Sequence, residues 1–300
     1  MDKEFEASLK SVETENVVDL YFYRPIGFQI SRILQNTGIT PNMITALSIF
    51  VGVGAGVMFA FDSLVFNLTG IFLLIFANIL DCVDGQLARM TGIKSEIGRI
   101  LDGAAGYLWF LAIYVCLALR LTNMYHTAWF FLPALISGLS QILQANITDY
   151  YKTVHLFFVS REKGLEFNNL EQVRRKQRTV DSGFQKFFFA LYEGYTGLQE
   201  NVTPALQRLL KDIRTKYGDD VPENIRVEFR QKSRELMKYC IDFLTFNGRT
   251  VILFAVVLTG HIWVYFMYET VILNLVLFIG IRRYEKMCVK ISELLRRQAA

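Results

Sequence analysis

Long apolar runs constrain the fold of this chain more than any other feature of its sequence. Four runs in its first half carry few or no charges and cover about 43–61, 63–80, 100–119 and 121–148. A helix of about 20 predominantly apolar residues can cross the hydrocarbon core of a bilayer. Each run therefore predicts a transmembrane helix.

A fifth apolar region, 250–281, contains one acid, Glu269, near its middle. We expect two short spans here, joined by a hairpin between Gly260 and Glu269. Together, the apolar runs predict an all-α polytopic membrane protein with about six transmembrane helices.

The composition indicates a soluble part in addition to the membrane helices. The 300 residues are 52% hydrophobic, and their mean hydropathy of +0.29 is high for a soluble domain but low for membrane helices alone. The net charge of +4 is mild and does not indicate nucleic acid binding. More than half of the lysines and arginines fall within 150–249. This stretch predicts a cytosolic helical insertion, with the option that its helices continue the neighbouring spans beyond the bilayer.

Four parts are therefore expected along the chain. They are an N-terminal segment with an interfacial amphipathic helix at 1–37, transmembrane helices one to four at 38–149, the cytosolic insertion at 150–249, and transmembrane helices five and six with a basic tail at 250–300.

The N-terminal segment begins with polar residues, 1–16, which we expect to be loosely held. They lack the apolar stretch of a cleaved signal peptide. Pro25 suits a helix start, and the apolar residues that follow it repeat at helical intervals opposite Arg24 and Arg32. This pattern predicts an amphipathic helix at the membrane surface.

Basic residues also predict the orientation of the spans. With six spans, Arg24, Arg89, the insertion and the basic tail all lie on one side, which the positive-inside rule assigns to the cytosol. A bacterial inner membrane or an ER-type membrane fits this arrangement. The basic cluster Arg174–Arg178 either binds anionic lipid or forms a solvated cytosolic face.

Three acids stand where two apolar runs meet a short polar segment. Asp81 and Asp84 close the second run and Asp102 opens the third. On a helix, Asp81, Asp84, Gly85 and Ala88 share one face. Acids at the mouths of membrane helices usually mark an ion or substrate site, since their desolvation is costly.

A second helical face places Asp102 between Gly98 and Gly106, at intervals of four residues. Small residues around each acid allow the two helices to approach closely, so that the three carboxylates converge on one hard cation. Oxygen ligands of this kind suit Mg²⁺ or Mn²⁺, with substrate phosphates in the remaining positions. Arg89 is placed to pair with a phosphate.

The stretch resembles the signature of the CDP-alcohol phosphotransferase family, D-x2-D-G-x2-A-R-x8-G-x3-D-x3-D. Seven of its eight fixed positions match, and these are Asp81, Asp84, Gly85, Ala88, Arg89, Gly98 and Asp102. The eighth differs, because Gly106 stands where the family has its last Asp. The segment TPNMIT at Thr40–Thr45 is also similar to one that family members carry before their first span.

The resemblance implies an enzyme in which an alcohol attacks the β-phosphate of a CDP-linked donor and CMP leaves. Asp81, Asp84 and Asp102 would hold the metal, with Asp84 and Asp102 also assigned to catalysis. Gly85, Ala88, Arg89 and Gly98 would border the substrate. In the family the last Asp helps to bind metal and accepts the proton of the attacking alcohol, and Gly106 has no side chain for either role. A homodimer is a further implication, with the glycines of spans one and three as packing sites.

Gly106 is compatible with three interpretations. The enzyme is active and another group takes the proton, or it transfers a phospho-head group to a lipid alcohol such as diacylglycerol or ceramide, or it binds nucleotide or lipid without turnover. A transporter with acids along an ion path is an alternative of another class, which the scarcity of ionisable groups in the other spans disfavours.

Three residues outside the signature are further candidates. Ser48 and Asn42 could reach the site from the first span. Arg249, before the fifth span, either contacts a substrate phosphate or anchors the helix at the interface.

Overall fold

A computed structural model describes residues 3–93, 95–159, 193–194, 196–218 and 221–297. In these ranges all regular structure is helical. The α-helices are α1 (Lys3–Ser8), α2 (Arg24–Leu34), α3 (Pro41–Met58), α4 (Leu64–Thr91), α5 (Glu96–Tyr125), α6 (Phe131–Val159), α7 (Pro204–Tyr217), α8 (Glu223–Leu244), α9 (Phe246–Thr259), α10 (Trp263–Met267) and α11 (Leu273–Arg297).

Within the described ranges, six helical stretches are long and apolar enough to cross a membrane. They are Pro41–Met58, Leu64–Thr91, Ile100–Tyr125, Ala128–Val159, Glu223–Thr259 and Trp263–Leu295. The chain is thus an all-α polytopic membrane protein, as its apolar runs predict. The fourth and fifth stretches extend into 150–249, where the sequence predicted an insertion.

The hairpin expected between Gly260 and Glu269 is shorter in the structure, and its predicted position was wrong. Gly260 ends α9 with a φ of +78°, a left-handed conformation that favours glycine. Helix α10 already begins at Trp263 and continues through one π-helical turn, Tyr268–Ile272, into α11. Glu269 lies inside this helical run because Arg249 pairs with its carboxylate.

The chain divides into two compact units, of which the first comprises residues 1–143 and 242–274. Its core includes Ala55, Leu74, Trp109 and Leu253. Glycines allow α3 and α5 to approach: a Cβ added at Gly52 would lie 2.2 Å from the Trp109 ring. One at Gly56 would lie 2.9 Å from Ala112. These two glycines therefore pack inside the unit, and homodimerisation stays a prediction.

The N-terminal segment is held more firmly than its polar composition suggested. Phe5 and Leu9 form a small buried cluster with Phe28 of α2. The Asn16 Nδ2 atom donates a hydrogen bond of 3.0 Å to Asp242. The expectation of a loose segment was wrong because apolar packing of Phe5 and Leu9 and the hydrogen bond of Asn16 anchor it.

The second unit comprises residues 144–241 and 275–300. In it, the rings of Phe158 and Phe229 stack with centroids 3.8 Å apart. Glu285 caps α7 by accepting hydrogen bonds from the backbone N–H groups of Ala205 and Leu206. The two amphipathic helices expected from the sequence correspond to α7 and α8. The basic cluster Arg174–Arg178 lies outside the described residues.

Candidate functional site

The three acids of the sequence motif come together in the first unit. Helix α4 contributes Asp81 and Asp84, and α5 contributes Asp102; one carboxylate oxygen from each lies within 4.8 Å of the others. Asp84 is buried, Asp81 is half-buried and Asp102 is exposed. This set of carboxylates, called the acid cluster below, therefore runs from the protein interior to its surface.

A tight connection between α4 and α5 brings the acids together. Gly92 ends α4 in a left-handed conformation, with a φ of +71°. Ser95 then caps α5, its hydroxyl accepting a hydrogen bond of 2.8 Å from the Gly98 N–H. Because the chain reverses within a few residues, the end of α4 and the start of α5 lie side by side.

Thr45 of α3 fixes the most buried acid. Its hydroxyl donates a hydrogen bond of 2.5 Å to Asp84 Oδ2. The sequence suggested Ser48 or Asn42 for a contribution from this helix, but the Ser48 hydroxyl donates to the Thr45 carbonyl oxygen instead. Thr45 closes the TPNMIT segment, but the sequence similarity of this segment does not indicate the hydrogen bond from Thr45 to Asp84.

Asn42 joins α3 to the start of α5. Its Nδ2 atom donates to the Ser95 hydroxyl at 2.9 Å. Gly98 makes this contact possible, since a Cβ added there would lie 2.1 Å from Asn42 Oδ1. The structure thus gives Gly98 a packing role, and its predicted contact with substrate stays a prediction.

Arg89 and Gly85 lie together on α4. A Cβ added at Gly85 would come within 3.2 Å of the Arg89 guanidinium. The Arg89 Nε atom donates a hydrogen bond to the backbone carbonyl oxygen of Ser8, and the side chain of Gln86 donates to the Ser8 hydroxyl at 3.0 Å. The N-terminal segment therefore fixes the arginine of the motif. Ala88, between them on α4, is half-buried.

Arg249 lies elsewhere, in a buried ion pair. Only 2% of its surface is exposed, its guanidinium pairs with Glu269, and its Nε and Nη2 atoms donate to the Leu244 carbonyl oxygen. The guanidinium carbon is 5.9 Å from the centre of the Phe110 ring. The sequence did not suggest this buried ion pair, and the predicted phosphate contact of Arg249 stays a prediction.

Gly106 leaves room for a side chain. Among the described residues, no atom outside the helix's own backbone lies within 4 Å of a Cβ added there, so packing does not explain why this position lacks the fourth acid. The three acids that are present fit a divalent metal by their chemistry, because Mg²⁺ and Mn²⁺ prefer oxygen ligands and carboxylates above all.

Comparison with known proteins agrees with the geometry. Residues 38–162 match the family model of CDP-alcohol phosphatidyltransferase. A stretch of 113 residues is 31% identical to a ceramide phosphoethanolamine synthase of Drosophila melanogaster. That match covers 34% of this chain and 29% of the relative, so it spans less than a third of the relative's length. The acid cluster, Thr45 and Arg89 fall inside 38–162, and Arg249 falls outside.

Proposed function

We propose that this chain is an integral membrane phosphotransferase of lipid synthesis, because residues 38–162 match the family model of CDP-alcohol phosphatidyltransferase. It transfers a substituted phosphate group from a CDP-linked donor to an alcohol and releases CMP. The observation that carries the proposal is the convergence of Asp81, Asp84 and Asp102. Acids at the ends of membrane helices are costly to desolvate, and a bound cation and substrate account for them.

The acid cluster would hold a divalent cation, Mg²⁺ or Mn²⁺. When bound, the metal supplies positive charge that stabilises the diphosphate and the departing CMP. Thr45 keeps the Asp84 carboxylate in a fixed orientation by its hydrogen bond. Such supporting hydrogen bonds commonly tune metal affinity and activity.

In the reaction, the acceptor hydroxyl oxygen bonds to the β-phosphorus as the bond between that phosphorus and the CMP oxygen breaks. Arg89 binds a phosphate of the donor through the guanidinium N–H groups other than the Nε–H that Ser8 accepts. Gly85 and Ala88 leave space beside it for the nucleotide. The acceptor loses its proton, and with Gly106 in place of the fourth acid, the exposed carboxylate of Asp102 is the candidate acceptor of that proton.

Similarity to the Drosophila melanogaster protein favours a lipid alcohol as the acceptor. The name of the Drosophila melanogaster protein describes phosphoethanolamine joined to ceramide. A donor of the CDP-ethanolamine type and an acceptor such as ceramide or diacylglycerol therefore come first. The reverse pairing, CDP-diacylglycerol with a small alcohol, is the second candidate. Both pairings would use the acid cluster, which lies within the matched residues 38–162.

The site faces the cytosol in this proposal, where soluble CDP-linked donors are available. The positive-inside rule supports that orientation through Arg24, Arg32, Arg89 and the basic residues of α11. The membrane is of the bacterial inner or ER type. The described geometry does not depend on a second copy of the chain.

Release of CMP by the purified protein in nanodiscs tests the function. CDP-ethanolamine with ceramide or diacylglycerol, and CDP-diacylglycerol with a set of small alcohols, are supplied with Mg²⁺ or Mn²⁺. We expect cation-dependent release with one pairing, and a loss of about 100-fold or more in Asp84→Asn. Asp149→Asn is the matched control, because this acid lies in the same matched segment and is exposed.

The alternatives predict other results. Nucleotide binding that needs Asp84, without CMP release from any pairing, would identify a protein that binds without turnover. Flux of ions across a vesicle membrane, again without CMP release, would favour a transporter.

A further inference from the structure

A second arginine, Arg24, lies beside the acid cluster but outside the motif and outside the matched residues 38–162. It begins α2, and the same face of this helix carries Gly27 and Ser31, three and seven residues later. A Cβ added at Gly27 would lie 3.1 Å from Cys82 Cβ, and the Ser31 hydroxyl lies 3.1 Å from the Val83 carbonyl oxygen. The face that carries Arg24 therefore packs on α4 where the acids lie.

The residue before Arg24 locates it further. Tyr23 is buried in a cluster that includes Leu80 and Cys82, the two neighbours of Asp81 in sequence. The start of α2 thus lies against the turn of α4 that carries Asp81.

Acidic groups hold the Arg24 side chain in place. Its Nε atom pairs with Glu15 at 3.2 Å. Burial acts to lower the pKa of the Arg24 guanidinium, but Cys82 and the acids Glu15, Asp81 and Asp19 raise that pKa above its ordinary value. Arg24 therefore carries its positive charge throughout the physiological pH range.

The Glu15 contact leaves the four terminal N–H groups of the guanidinium, and these form the fork that suits phosphate oxygens. A fifth of the Arg24 side chain stays exposed. Three carboxylates outweigh the charge of one divalent cation, so an anionic diphosphate needs further positive charge at the site. Arg89 provides one such charge, and Arg24 is positioned to provide a second.

We propose that Arg24 is a phosphate-binding residue of this site, donating hydrogen bonds to the diphosphate of the CDP-linked donor; the inference rests on the proposed function. Arg89 of the motif and Arg24 of the N-terminal segment then flank the diphosphate from different helices, α4 and α2. The N-terminal segment becomes part of the site, because Ser8 fixes Arg89 and Glu15 fixes Arg24.

Binding of CDP tests this assignment. Affinity for CDP is measured with Mn²⁺ on the full chain in neutral phosphatidylcholine nanodiscs, for Arg24→Gln, Arg24→Lys, Glu15→Gln and Arg32→Gln. Arg24→Gln should weaken CDP binding about ten-fold or more, since it removes charged hydrogen bonds. Arg24→Lys, which keeps the charge but not the fork, should show an intermediate loss. Arg32→Gln, an exposed change on the same helix, should stay within about two-fold of the wild type.

Glu15→Gln separates phosphate binding from a structural role. This variant breaks the ion pair but keeps the guanidinium, so it should weaken CDP binding much less than Arg24→Gln. Equal losses in the two variants would mean that Arg24 only holds Glu15, and would overturn the proposal. If Arg24→Gln does not fold, as judged by size-exclusion chromatography and Tm, the CDP affinities of Arg24→Lys and Arg32→Lys are compared. A loss of affinity in Arg24→Lys alone would support the proposal, and equal affinities in the two variants would overturn it.

Two further arms identify the source of the phosphate and separate this inference from the proposed function. A loss caused by Arg24→Gln only in nanodiscs that contain phosphatidylglycerol would assign Arg24 to a lipid head group and overturn the proposal. CMP release by the wild type, with CDP affinities that Arg24→Gln leaves unchanged, would refute Arg24 alone. CDP binding that depends on Arg24, in a protein that releases no CMP, would support Arg24 and refute turnover.

Discussion

The acid cluster and a second group, the pair of Arg249 and Glu269, both lie within the helices of the first unit, and they differ in charge and in exposure. In the acid cluster, three like charges from α4 and α5 converge and extend to the surface at Asp102. In the second group, Arg249 and Glu269 form a pair of opposite charges, each at most 2% exposed. Convergence of like charges is unfavourable without a ligand, whereas in a buried pair of opposite charges each charge offsets the other. The first group therefore indicates function and the second indicates structure.

Substitutions should separate the two groups by what they change. In the acid cluster, Asp84→Asn is expected to remove CMP release while leaving the free energy of unfolding nearly unchanged, since relief of repulsion among the carboxylates offsets a weaker hydrogen bond from Thr45. In the buried pair, a substitution is expected to lower the free energy of unfolding while CMP release per folded molecule stays nearly unchanged.

The largest loss of stability should follow from Glu269→Gln. It leaves the charge of Arg249 buried without its carboxylate partner, which typically costs about 3–5 kcal/mol of folding free energy. Unfolding of the purified protein in detergent, followed by Tm and by denaturant titration, measures this loss. CMP release per folded molecule should stay close to that of the wild type.

Two controls sharpen this result. Glu228→Gln removes an exposed helical ion pair with Lys232 and should change stability by less than about 0.5 kcal/mol. The double variant Arg249→Met with Glu269→Met should recover part of the loss, because it removes both charges. Loss of CMP release in Glu269→Gln at unchanged stability would instead place Arg249 in the active site and support its predicted phosphate contact.

A smaller effect, on activity alone, should follow from Thr45→Val. The change keeps the shape of the side chain but removes the hydrogen bond to Asp84. Loss of a residue that orients a metal ligand typically costs about 10–100-fold in metal affinity or activity. We expect the lower end of this range for CMP release, with weaker Mn²⁺ binding.

Thr69→Val is the matched control, since the exposed Thr69 hydroxyl donates only within its own helix, to the Val65 carbonyl oxygen. Wild-type Mn²⁺ affinity in Thr45→Val would show that Thr45 does not support the metal site.

The contrast between the two charged groups also marks what the sequence could predict. The acid cluster follows from helical spacing, because Asp81 and Asp84 share a face and a short connection leads to Asp102. The Arg249–Glu269 pair joins residues 20 positions apart across a turn, and local periodicity holds no information about such a contact. The hairpin was mispredicted for the same reason, because Glu269 indicates a polar turn unless its pairing with Arg249 is taken into account.

The N-terminal segment was mispredicted for a related reason. A polar composition indicates weak anchoring, yet Phe5 and Leu9 pack against Phe28, and Ser8 and Glu15 bind two arginines of the site region. These contacts form only once α2 lies on α4. The six apolar stretches, in contrast, were legible because span length and hydropathy are local properties.

The smallest expected effect tests whether the acid cluster can still accept the acid it lacks. Gly106 lies one helical turn after Asp102, and in the part of the chain that the structure describes no atom outside the helix's own backbone lies within 4 Å of an added Cβ. Gly106→Asp should therefore place a fourth carboxylate on the same face of α5, and we expect Mn²⁺ to bind a few-fold more tightly, by the added charge at short range. Calorimetric titration with Mn²⁺ measures the change. Gly103→Asp has equal space but lies on another face, so it should leave Mn²⁺ affinity unchanged; an equal gain in both variants would show that overall charge, and not position, attracts the metal.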